Sequence, residues 1–87
     1  MEKEVLVLNK AGLHARPASV FVQEAGRYQA DILIEKDGRS VNAKSIIGVL
    51  SLGIPQNVKI KLIAKGLDEN EALEALVRLI EGKFGEE

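Results

Sequence analysis

The sequence predicts an α+β fold, an open-faced β-sandwich in which a four-stranded antiparallel sheet is covered on one face by three helices. Three observations carry that prediction. Apolar and charged residues alternate along Val58–Lys65, the period of a half-buried strand. Apolar residues recur at i, i+3, i+4 and i+7 in two other stretches, the period of amphipathic helices. Asp37-Gly38 separates two strand-like runs, a strong signal for a two-residue hairpin. One-faced strands and one-faced helices bury their apolar sides most economically by packing together as two layers.

Taken in order, residues 4–8 are short and rich in branched apolar side chains, and Asn9-Lys10-Ala11-Gly12 bounds them, so they read as a strand. Ala18, Phe21, Val22 and Ala25 then fall on one helical face. Pro17 suits that helix's first turn, where a missing N–H does no harm, and Gly26 suits the residue just past its end. Residues 31–36 and 39–43 are the arms of the hairpin. Ser45 precedes Ile46-Ile47-Gly48-Val49-Leu50-Ser51-Leu52, closed by Gly53 and Pro55, which predicts a brief helix with Ser45 as N-cap.

Val58, Ile60, Leu62 and Ala64 form the buried side of the next strand and alternate with Lys59, Lys61, Ile63 and Lys65, whose lysines solvate the other. Asp68 and Glu71 predict an acidic capping box for a last helix whose stripe is Leu73, Leu76, Val77, Ile80 and Phe84. The predicted order is β-α-β-β-α-β-α.

The 87 residues fit one domain spanning 1–87. A chain of this size buries about 60–65% of its unfolded surface, enough for one modest core. Twelve basic and thirteen acidic residues leave a net charge of −1, and three aromatics offer little for stacking. Nucleic acid is therefore a poor partner for this surface. The start of the chain has mixed charge and only a short apolar run, unlike a signal peptide. No stretch approaches the roughly 20 apolar residues of a membrane span. These features predict a cytoplasmic protein. The absence of cysteine and of a second histidine leaves no thiolate or histidine set for a metal, so no cofactor is expected.

The chemistry concentrates in Gly12-Leu13-His14-Ala15-Arg16-Pro17-Ala18, which holds the one histidine of the chain. A histidine at a helix start faces free backbone N–H groups and the positive end of the helix dipole, which together favour an anion. Arg16 adds a planar, permanently charged donor suited to phosphate oxygens. A phosphorus–nitrogen bond to imidazole is labile enough to be passed on, whereas a serine phosphate ester is comparatively inert. Spacing alone leaves open whether His14 accepts a phosphoryl group or is a plain surface residue or weak cap. Nothing ties Ser19, Ser40, Ser45 or Ser51 to His14 as the nucleophile of a hydrolase. A general-base enzyme would need a partner group and a pocket, and neither is visible.

The His14 segment resembles the active-site signature of the HPr family, the histidine-containing phosphocarriers of the bacterial sugar phosphotransferase system. Val41-Asn42-Ala43-Lys44-Ser45-Ile46-Ile47-Gly48-Val49-Leu50-Ser51-Leu52-Gly53 resembles that family's regulatory-serine region. Length and element order match as well. The resemblance implies that His14 is phosphorylated on Nδ1 by enzyme I, itself charged from phosphoenolpyruvate, and passes the group to IIA units of sugar permeases. It implies that Arg16 holds the phosphate and that Ser45 is phosphorylated by an HPr kinase/phosphorylase, with a CcpA-type transcriptional regulator as a further partner. It also implies a monomer, and a carrier rather than an enzyme. Crh, a regulatory paralogue, lacks the active-site histidine, so His14 argues for the carrier. Residues 54–57 read as a variable loop of little consequence.

Ser45 can serve simply as a helix cap, since serine is favoured there. A phosphate at that place adds about −1.5 to −2 charges where the helix dipole tolerates them, so the fold should survive and the effect should fall on partners. Ile46, Ile47 and Leu50 are the candidate partner-binding residues. Adjacent helical residues cannot share one face, so Ile46 and Ile47 divide between core packing and an exposed patch.

Overall fold

The computed structural model describes residues 1–85; residues 86 and 87, included in the predicted domain, lie outside the described residues. Its elements are β1 (Glu2–Val7), α1 (Ala15–Ala25), β2 (Asp31–Lys36), β3 (Arg39–Asn42), α2 (Ile46–Ser51), β4 (Val58–Lys65), α3 (Glu69–Glu81) and a closing 3-10 turn, Lys83–Gly85. The predicted order holds. The strands form one antiparallel sheet in the order β1-β4-β2-β3, with β1 and β3 at its edges.

Register sorts the side chains onto two faces. Val5 lies opposite Ile60, and Ile34 opposite Leu62. These residues, with Val7 and Ile32, meet Ala18, Phe21 and Ala25 from α1, Val49 from α2, and Leu73, Leu76 and Ile80 from α3. Each large side chain fully buried in this way is worth about 1.5–3 kcal/mol relative to exposure. The other face stays open, with Leu6 and Leu33 exposed among charges. On that face Lys61 stands in register between Glu4 and Glu35. Its ammonium also lies 3.5 Å from the Glu2 carboxylate, so the lysines of β4 solvate the sheet as expected.

The hairpin turn follows from two backbone requirements. Asp37 (φ 53°) and Gly38 (φ 81°) are both left-handed, the geometry that matches the twist of two paired strands.

Several expectations need correction. β1 begins at Glu2 and ends at Val7, leaving Leu8 outside, and β3 ends at Asn42. Gly26 has right-handed φ (−67°), so its conformational freedom is not used. The capping box does not form: Asp68 is the N-cap of α3, but its side chain makes no cap bond. Its carboxylate instead accepts the N–H groups of Gln29 (2.9 Å) and Ala30 (2.8 Å). Phe84 is not part of α3. Lys83 and Phe84 take φ of 57° and 56°, which breaks the helix, and Phe84 packs against the core from beyond the break.

Candidate functional site

The site grows out of the turn after β1. Gly12 N–H donates to the Asn9 carbonyl at 3.1 Å, closing a tight turn. Gly12 has φ +64°, and a Cβ there would lie 2.2 Å from the Ile54 carbonyl oxygen. Only glycine fits this approach. Leu13 then donates its N–H to that same Ile54 oxygen at 2.9 Å, and its side chain is fully buried. The chain enters α1 from an anchored residue.

His14 follows as the N-cap of α1, in extended conformation and with no side-chain cap bond. It is exposed, so its imidazole is not engaged in holding the helix. Ala15 has φ +51°, a left-handed conformation that costs a non-glycine residue about 1–3 kcal/mol. Arg16 is exposed and has no hydrogen-bond or ion-pair partner among the described residues. Pro17, with no N–H to satisfy, is buried in the first turn. A ring nitrogen and a guanidinium thus stand uncommitted at the positive end of an 11-residue helix.

Ser45 caps α2, and its Oγ accepts the Gly48 N–H at 3.1 Å. Of the helix, Val49 is buried, whereas Ile46, Leu50 and above all Ile47 (77% exposed) face outward. The division expected between Ile46 and Ile47 is therefore resolved toward the surface for both. The far end of α2 is tied to the hairpin, since the Lys36 ammonium donates to the carbonyls of Leu52 (3.2 Å) and Gly53 (3.1 Å). α1 and α2 pack against each other. His14 and Arg16 thus lie at the start of one helix, and Ser45 with the three apolar residues on the helix packed against it. No hydrogen bond or ion pair links the two groups among the described residues.

One groove, about 670 Å³, is lined by Met1, Lys3, Leu73, Val77, Arg78 and neighbours. It contains neither His14, Arg16 nor Ser45. His14 and Arg16 lie on the exposed surface.

Residues 1–82 match the family described as the PTS HPr component phosphorylation site. The chain belongs to the HPr family. HPr-family proteins are phosphocarriers of the phosphotransferase system, carriers rather than catalysts. The chain is 57% identical over 81 residues to the HPr-like protein Crh of Halalkalibacterium halodurans, covering 93% of this chain and 96% of that one. It is 46% identical over 85 residues to the phosphocarrier protein HPr of Treponema pallidum, covering 98% and 97%. Among solved structures, HPr-C-His from Thermoanaerobacter tengcongensis superposes with a TM-score of 0.98 at 55% identity, covering 100% of this chain and 98% of that one. An HPr dimer from the same organism superposes at 0.79 with 58% identity, covering 94% of each. That relative is described as a dimer, whereas the resemblance implies a monomer for this chain.

Sequence reasoning missed the support beneath His14. The 54–57 loop, expected to matter little, is bonded to the residue before His14 and, at two more points, to the end of β1 from which the turn leaves. Besides the Leu13–Ile54 bond, Gln56 Nε2 donates to the Leu8 carbonyl (2.9 Å) and Asn57 N–H to the Val7 carbonyl (2.7 Å). Asn9, a strand boundary by sequence, is the one fully buried polar residue among those described. Its Nδ2 donates to the Gly12 carbonyl at 2.9 Å. An Asn three residues before a turn glycine is the local signal that could have revealed it.

Proposed function

We propose that this chain carries a phosphoryl group on His14 between phospho-enzyme I and the IIA units of sugar permeases. The observation that carries this reading is an exposed imidazole at a helix N-terminus with no capping bond to break, beside an Arg16 with no partner among the described residues. In each step the P–N bond of the donor breaks as a bond to Nδ1 of His14 forms, and the donor's ring is released. Delivery to IIA reverses the roles. Arg16 stabilises the phosphoryl oxygens by charge-assisted hydrogen bonds, and the N–H groups of the first turn add to the same field.

Ser45 is the regulatory site in this reading. Its phosphate sits at a helix N-terminus, where it leaves the fold intact. It also sits on the element that exposes Ile46, Ile47 and Leu50. Those side chains form the docking patch for enzyme I and IIA, and a phosphate beside them must be desolvated on docking. Phosphorylation of Ser45 therefore lowers affinity for enzyme I.

The identity to Crh favours a second reading, a regulatory module whose Ser45 phosphate recruits a CcpA-type regulator. Intact-mass analysis with phosphoenolpyruvate, magnesium and a bacterial enzyme I separates the two. One phosphoryl addition, labile in mild acid and absent in His14→Ala, is the carrier's result. No addition, with an ATP-dependent, acid-stable phosphate lost in Ser45→Ala, is the regulator's.

A further inference from the structure

The Gly12–Leu13 peptide, one residue before His14, is held at both ends. Its oxygen accepts Asn9 Nδ2 at 2.9 Å, and its N–H donates to the Ile54 carbonyl at 2.9 Å. The buried Leu13 side chain blocks rotation about the next bonds. His14 therefore projects from a fixed plane. Two of the fixing contacts are backbone or apolar; the third is the amide of a fully buried asparagine. That asparagine is an expensive choice, because its Oδ1 has no partner among the described residues and a buried acceptor left unpaired is unfavourable. Flipping the amide would set Oδ1 against the Gly12 oxygen, so the donor's assignment is forced. A leucine of similar volume would fill the same space without the orphan oxygen. What leucine cannot do is donate to Gly12.

We propose that Asn9 is a positioning residue for phosphoryl transfer, orienting His14 through the Gly12–Leu13 peptide. The inference rests on the carrier reading. Transfer between two imidazoles on different proteins needs the attacking nitrogen in line with the breaking bond, and small misplacements are costly when partners meet as rigid bodies. Asn9 is buried and cannot touch a docked partner, so it acts on the maximal rate and not on docking.

The test uses Asn9→Leu as phosphoryl acceptor for enzyme I, with KM, kcat and melting temperature measured on the same protein. The expected result is a melting temperature equal to or above the parent's, an unchanged KM, and a kcat at least about tenfold lower. Amide resonances of Leu13, His14 and Ala15 should move while those of α3 stay in place. A kcat within twofold of the parent, or a loss that merely tracks the melted fraction, overturns the proposal. Should Asn9→Leu not fold, Asn9→Ala is measured in the same way. If the parent itself accepts no phosphoryl group, the carrier reading has failed. The His14 amide shift then still decides whether Asn9 holds that residue, and an unmoved resonance overturns it.

Discussion

The starts of α1 and α2 solve the same problem in opposite ways. Every helix begins with N–H groups that lack partners. At α2, Ser45 meets the need locally, with its Oγ on the Gly48 N–H. At α1, His14 makes no such bond, and the next residue is left-handed. The order that a cap would supply comes instead from outside the helix, through Asn9, Gly12, Leu13 and the 54–57 loop. The difference teaches where reactivity can be placed. A side chain that caps its helix is committed to the fold, and one that must give and take a group is freed when the backbone behind it is fixed by tertiary contacts.

The sharpest way to break the contrast is His14→Ala. Phosphoryl acceptance from enzyme I should be abolished while stability changes by no more than about 0.5 kcal/mol, since no cap bond is lost. A large fall in melting temperature would show that the imidazole is structural after all. Next comes Gly12→Ala, which forces a Cβ against the Ile54 carbonyl at a left-handed position. We expect a loss of about 3 kcal/mol, on the order of 15 °C in melting temperature, and slower transfer in whatever remains folded. A near-parental melt would mean that the 54–57 loop does not hold the His14 turn.

Ser45→Ala should cost about 1 kcal/mol by urea unfolding, the worth of an N-cap, and leave His14 transfer intact. Ser45→Asp should stay within about 0.5 kcal/mol of the parent because aspartate also caps, yet it should weaken the reaction with enzyme I. Transfer at the parent's rate by both Ser45→Asp and genuine phosphoserine protein would remove the proposed switch.

How far each feature could be read from sequence depends on how local its cause is. The Asp37-Gly38 turn and the Ser45 cap were legible because their geometry is decided within four residues. The segment around His14 and Arg16 was legible as a family signature, whereas its spacing alone left the role of His14 open. The capping box at Asp68 was not, because donors 38 and 39 residues away outcompete the helix's own N–H groups for its carboxylate. Phe84 continues the apolar period of α3 although the backbone has already left the helix. The support for His14 was hidden for the same reason: Ile54 and Gln56 lie more than forty residues from the turn they hold.

The start of α3 is a third solution and carries the smallest expected effect. Here the N-cap side chain is committed to the fold, but to another segment: Asp68 secures the bend between α1 and β2. The N–H groups of Gln29 and then Ala30 hold its carboxyl below the usual aspartate range. A group with a lowered folded value contributes stability above its unfolded value, about 3.9, and loses it as pH falls through the folded one. The difference in unfolding free energy between the parent and Asp68→Ala should therefore be constant from pH 7 to about pH 5 and shrink below about pH 4. Glu69 is lowered too, by the Gly66 N–H, but it is present in both proteins and drops out of the difference. Ser45→Ala provides the contrast: a hydroxyl cap does not titrate in this range, so its cost should be the same at pH 7 and pH 3.5. Urea curves at four pH values measure both, and parallel behaviour of the two variants would show that the Asp68 carboxylate is not what holds the bend.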